Sequence, residues 1–165
     1  MHSKGLAGET EVFVRYGVTD RLELGLGYLR KQEIVRPLVS YVLVPEHRTR
    51  PSLTTGAMVD SLEDGRQMVF LTTGKSFPTK LGVPVNVYAG IAQVTTRSEN
   101  RFIGGILVPL ARGLNASVQF DGRYANVGLT AKLGSVGGAP VYFGIVAARG
   151  DRFGPLVATS FPLGR

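Results

Sequence analysis

Cysteine is absent from the 165-residue chain, so neither a disulfide framework nor a thiolate metal site is open to it. Histidine is nearly absent: His2 stands close to the start, and His47 lies in the charged stretch Glu46-His-Arg-Thr-Arg50. The two have no metal-ligand spacing, and a membrane protease or acylhydrolase would need a histidine beside a nucleophile or carboxylate. Asp60, Glu63 and Asp64 belong to a connection at the other end of the strands from His47, and they fall short of the ligand count of an EF-hand. The expectation is a non-enzymatic chain with no catalytic residue, no metal and no cofactor. Charge is scarce as well, at 19% of residues against 44% hydrophobic, which excludes an intrinsically disordered polypeptide.

Long apolar runs are also missing. None approaches the roughly 20 residues a membrane-spanning helix requires, whereas the longest, 102–111 and 139–148, match the roughly 9 to 11 residues of a β-strand that crosses a bilayer. Residues 1–8 include a lysine but no apolar h-region, so they read as a tail or a loop remnant, and an exported parent would carry its signal upstream. The net charge of +7 invites a nucleic-acid reading. The cations are scattered, however, with no continuous patch interleaved with aromatics, and no nucleic-acid partner is expected.

Glycine is plentiful, with 22 residues, about 13% where roughly 7% is usual. The hydrophobic period is two nearly throughout. Leu22, Leu24, Leu26 and Tyr28 share one face of a strand while Glu23, Gly25 and Gly27 share the other. Residues 9–16, 114–121 and 125–133 alternate in the same way. Turn signals about every 15 residues divide the chain into eleven candidate strands: 9–16, 22–30, 34–44, 52–59, 67–74, 85–94, 101–108, 114–121, 123–133, 141–148 and 154–161. Short connections favour antiparallel neighbours and an up-and-down arrangement.

Two hairpins are specific enough to predict a register. An Asp121-Gly122 turn places Phe120 opposite Arg123 and Val118 opposite Ala125. A five-residue connection over 17–21 places Tyr16 opposite Leu22, with Arg15 facing Glu23 and Phe13 facing Gly25. The polar face of these strands is rich in small residues, which suit a crowded interior better than a solvated exterior. The expected facing therefore puts Leu24, Val118, Val127 and Leu129 toward lipid. Glu11, Arg15, Glu23, Asn115, Ser117, Gln119, Asn126, Thr130 and Lys132 would line the lumen. Aromatics near strand ends (Tyr16, Tyr28, Phe77, Phe102, Phe120, Tyr124, Phe153 and Phe161) fit interfacial girdles. Arg30, Lys31, Arg66, Arg97, Arg101, Arg123, Arg149 and Arg152 fall near the turns of one rim, where cations snorkel at a membrane boundary or meet lipopolysaccharide phosphates.

The phrase Tyr16-Gly-Val-Thr-Asp-Arg-Leu-Glu-Leu-Gly25 resembles a strand-turn-strand unit of bacterial outer-membrane β-barrel proteins. The stretch 114–132, with Gln119-Phe-Asp-Gly-Arg123 and Asn126-Val-Gly-Leu129, resembles a hairpin of the outer-membrane barrels associated with exopolysaccharide secretion. The resemblance covers about a fifth of the chain. It implies a bacterial outer-membrane location, a structural, pore or export-associated role linked to envelope polysaccharide, and the barrel assembly machinery as a partner.

The resulting expectation is all-β: an antiparallel meander forming a transmembrane barrel of about 10–12 strands. It comprises a tail over 1–8 and one barrel domain over 9–165. Because bacterial single-chain barrels have even strand numbers, the odd count of eleven points to the C-terminal part of a larger barrel. Membrane lipid is the expected partner. The alternative is a soluble β-barrel that binds an apolar small molecule in its interior.

Overall fold

A computed structural model describes residues 11–29, 33–60, 66–80, 82, 84–97, 99–111, 113–136, 139–148 and 152–159. Eleven strands succeed one another: β1 (Glu11–Gly17), β2 (Leu22–Leu29), β3 (Ile34–Val44), β4 (Ser52–Asp60), β5 (Arg66–Phe77) and β6 (Val85–Val94). They continue as β7 (Glu99–Ala111), β8 (Leu114–Phe120), β9 (Ala125–Val136), β10 (Ala139–Ala148) and β11 (Arg152–Thr159). Each pairs antiparallel with its sequence neighbours in one eleven-stranded sheet, so successive turns alternate between two ends. The connections 18–21, 45–51 and 78–80 belong to the lower rim, and 95–97 and 121–124 to the upper rim.

The expected closed barrel is not formed by the described strands. The sheet curls until β1 and β11 approach each other, but no ladder joins them. Strand parity supplies a reason: as the first and eleventh members of an antiparallel meander, the two run in the same direction, and their direct pairing would be parallel.

Both predicted hairpins form, each in a register two residues away from the sequence-based one. Tyr16 faces Leu24 rather than Leu22, and Arg15 faces Gly25. Thr19 draws the turn in by accepting hydrogen bonds at Oγ1 from the backbone N–H groups of Arg21 (3.1 Å) and Leu22 (3.0 Å). At the second hairpin Phe120 faces Ala125 and Val118 faces Val127. There the Asp121 carboxylate accepts from the N–H groups of Arg123 and Tyr124, both at 2.8 Å. The Asp121 N–H meanwhile donates to the Tyr124 carbonyl at 3.2 Å, centring the turn on Gly122 and Arg123. An offset of two leaves every side chain on its expected face, so the hydrophobic pattern is satisfied in either register.

The two faces differ sharply. Large apolar side chains that stand exposed include Leu26, Val35, Ile91, Phe102, Val127, Leu129 and Ile145, mostly on the convex face. The concave face carries the few buried apolar residues among those described: Leu29, Leu38, Met68, Ala92, Val94 and Ile103. Met68, Ala92, Val94 and Ile103 pack together with Met58 and Phe70 near the upper rim, filling that end of the concavity.

Among the described residues three bulges interrupt the ladders, and all lie toward the lower rim. The residue skipped by the pairing is a leucine each time: Leu43 in β3, Leu110 in β7 and Leu133 in β9. All three are exposed, at 43%, 50% and 69%. A bulge bends its strand and re-aims the residues beyond it, so these positions set the course of the lower-rim connections.

Candidate functional site

The register puts all nine expected lumen residues on the concave side of the sheet, opposite the face that bears Leu24, Val118, Val127 and Leu129. They fall into two groups. On one wall Glu11 faces Leu29, of Glu11 only the backbone being described, and Arg15 and Glu23 approach each other. On the other wall Asn115 faces Thr130, Ser117 faces Gly128, and Gln119 faces Asn126. Lys132 continues that row opposite Tyr142.

The Arg15 and Glu23 side chains meet as the sequence suggests, with Nη1 to Oε1 at 2.9 Å, but diagonally across the ladder rather than face to face. Their side chains remain 46% and 37% exposed, so the pair belongs to the weak class of solvated ion pairs. Asn126 is more enclosed, and its buried Oδ1 accepts no hydrogen bond among the described residues.

A second cluster, not anticipated from the sequence, lies at the upper rim. Glu99 bridges two guanidinium groups. Arg123 reaches both carboxylate oxygens through Nη2, at 2.7 and 2.8 Å, and Arg101 approaches through Nε at 3.2 Å. Arg101 is only 5% exposed and its stem packs against Gly122, whose φ of +94° only glycine adopts without strain. Of the eight cations expected at this rim, Arg101 and Arg123 therefore serve an internal network. Arg66 opens β5, and Arg97 is exposed in the turn after β6. Arg30, Lys31 and Arg149 lie outside the described residues, and of Arg152 only the backbone is described. The sequence signal for the cluster is the Glu99-x-Arg101 spacing, which puts both side chains on one face, with Arg123 in the neighbouring hairpin.

The lower rim has its own fixed point. His47 and Arg50 exchange two backbone hydrogen bonds, at 2.9 and 3.1 Å, which close a tight tip over Arg48 and Thr49. Lys75 donates from Nζ to the carbonyls of His47, Arg48 (3.1 Å) and Arg50 (3.5 Å), and it lies 3.4 Å from Glu46. Glu46 in turn accepts from the Ser76 N–H at 2.9 Å and the Ser76 hydroxyl at 2.8 Å. These donors, the backbone N–H first and then the hydroxyl, hold its carboxyl below the usual carboxylate range despite an opposing desolvation, and Lys75 adds to the effect. His47 itself is exposed, with Thr49 Oγ1 3.5 Å from its ring Nδ1. The meander keeps it at the opposite end of the sheet from the connection after Asp60. Glu63 and Asp64 lie outside the described residues. Among the described residues no three acidic, histidine or cysteine side chains gather as a metal site.

Comparison with protein-family models, with curated proteins and with solved structures yields no match.

Proposed function

We propose that the protein is a membrane-embedded β-barrel of the bacterial outer membrane, with a structural or export-associated role. The observation that carries this reading is the inverted distribution of apolar side chains. Among the described residues, large hydrophobics such as Leu26 (57% exposed), Ile91 (59%) and Phe102 (62%) cover the convex face, whereas few are buried. A soluble barrel holding an apolar ligand has the reverse arrangement, and a contiguous exposed apolar surface of this kind calls for a partner. Lipid is the partner that fits a face that is apolar on strand after strand.

The aromatic residues support the same reading. Tyr16 and Phe77 stand exposed toward the lower rim, and Tyr28, Phe102 and Phe120 toward the upper, with aliphatic residues between them. Paired girdles of this sort mark the two interfaces of a membrane barrel. The packing of Met68, Val94, Ile103 and their neighbours fills the upper end of the concavity, which favours a structural or export-associated role over an open water channel. In lipid the edges of β1 and β11 must have their hydrogen bonds satisfied, so the proposed barrel requires closure across that seam.

Flotation with phospholipid vesicles tests the proposal. The full chain is expected to float with the vesicles after an alkaline wash and to be monodisperse only in detergent. A monodisperse protein in plain buffer that stays behind on flotation would contradict it.

A further inference from the structure

We infer that the lower rim carries a binding site for the phosphate-bearing headgroup of an anionic phospholipid, formed between the 45–51 connection and the end of β5. The inference rests on the membrane reading above and adds to it a lipid class and a place. Phe77 and Lys75 share the face of β5 that bears exposed Val69 and Leu71, which is the side assigned to lipid. The bulge at Leu43 re-aims the end of β3, and the Lys75 ammonium holds the adjoining turn against that outward face through three of its carbonyls. Between the turn and the strand lies an open hollow of about 700 Å³, within the usual size of a small-molecule site. Glu46, His47, Arg48, Lys75, Phe77 and Pro78 are among the residues that line it.

The hollow brings cationic and apolar side chains together. Among the described lining residues the acid is Glu46, whose charge Lys75 offsets at 3.4 Å, so the attraction for an anion comes from Arg48. Arg48 is exposed and makes no ion pair with another described residue, and Phe77, 51% exposed, offers an apolar surface beside it. Arg50 stands exposed at the other side of the same tip. The tip is fixed before any ligand arrives, because its backbone closes on itself at His47 and Arg50 and its carbonyls are held by Lys75. Little ordering therefore remains when a phosphate binds, which favours affinity.

The test uses the full chain in phosphatidylcholine vesicles carrying trace spin-labelled phosphatidylglycerol or spin-labelled phosphatidylcholine. The readout is the selectivity of the motionally restricted lipid around the protein. Phosphatidylglycerol should be preferred severalfold, and Arg48→Gln should lower that preference by about fivefold. Arg97→Gln at the upper rim should leave it unchanged. Lys75→Met should lower it while the protein stays inserted, because the turn loses its anchor. Inorganic phosphate at matched concentration should fail to displace the lipid. Equal affinity for both lipids in the native chain, persistence of the full selectivity in Arg48→Gln, or displacement by phosphate would overturn the site while leaving the membrane reading intact. A chain that does not float with vesicles would overturn both.

Discussion

At the scale of single residues, the concave face is set by close approach. A Cβ added to Gly90 would collide with the Leu71 carbonyl oxygen and lie 2.6 Å from Thr72 Cα, whereas one added to Gly134 meets nothing within 4 Å. Gly90→Ala should therefore lower stability by about 1 to 3 kcal/mol in detergent, as overpacking does, and Gly134→Ala should leave the urea midpoint within error. Glu46 sets a different expectation. Its carboxyl is held below its usual range in the folded protein, so the contribution is present above the unfolded value of roughly 4.3 and disappears as pH falls through the lower folded value. The unfolding midpoint should thus fall on acidification below about pH 4 by more in the native chain than in Glu46→Gln, and parallel curves for the two would refute the role of the Ser76 contacts.

At the scale of elements, the strands are legible in the sequence because their period is two, and β3 and β6 span 34–44 and 85–94 as predicted. Which residues share a face of the sheet is legible for the same reason. Register is not, since sliding β1 against β2 by two residues moves Val14 from Leu24 to Leu26 and keeps every apolar pair apolar. What decides is local polar chemistry, here the Thr19 hydroxyl and the Asp121 carboxylate, which bond backbone groups that no hydrophobic pattern reports. The bulged leucines are hidden for a related reason: Leu43 and Leu110 stand in largely apolar stretches and Leu133 continues the apolar alternation of β9, so the skipped position carries no mark. The β8–β9 turn yields a test of this hierarchy. Gly122→Ala forces a Cβ into the Arg101 side chain at a positive φ and should cost more than about 1 kcal/mol. Asp121→Asn, which keeps an acceptor, should cost less than Asp121→Ala in the same denaturation series.

At the scale of the whole molecule, the membrane-facing character of the convex side is the central claim, and it is separable from fold stability. An arginine at Val127, 52% exposed on that face, should cost about 2 to 4 kcal/mol of stability in a bilayer if it sits near the midplane, yet little in a soluble protein. The filling of the upper end by Met68, Val94 and Ile103 is not legible, because β6 is apolar on both sides and alternation alone does not say which apolar row turns inward. The chain contains no tryptophan, so a single introduced one reports its own surroundings without background. The most direct measurement places tryptophan at Ile91 on the convex face, or at Thr130 on the concave face, and records fluorescence in vesicles whose acyl chains carry bromine. Strong quenching at Ile91→Trp with little at Thr130→Trp is the expected result, and the reverse order, or no quenching at either position, would contradict a lipid-facing convex surface.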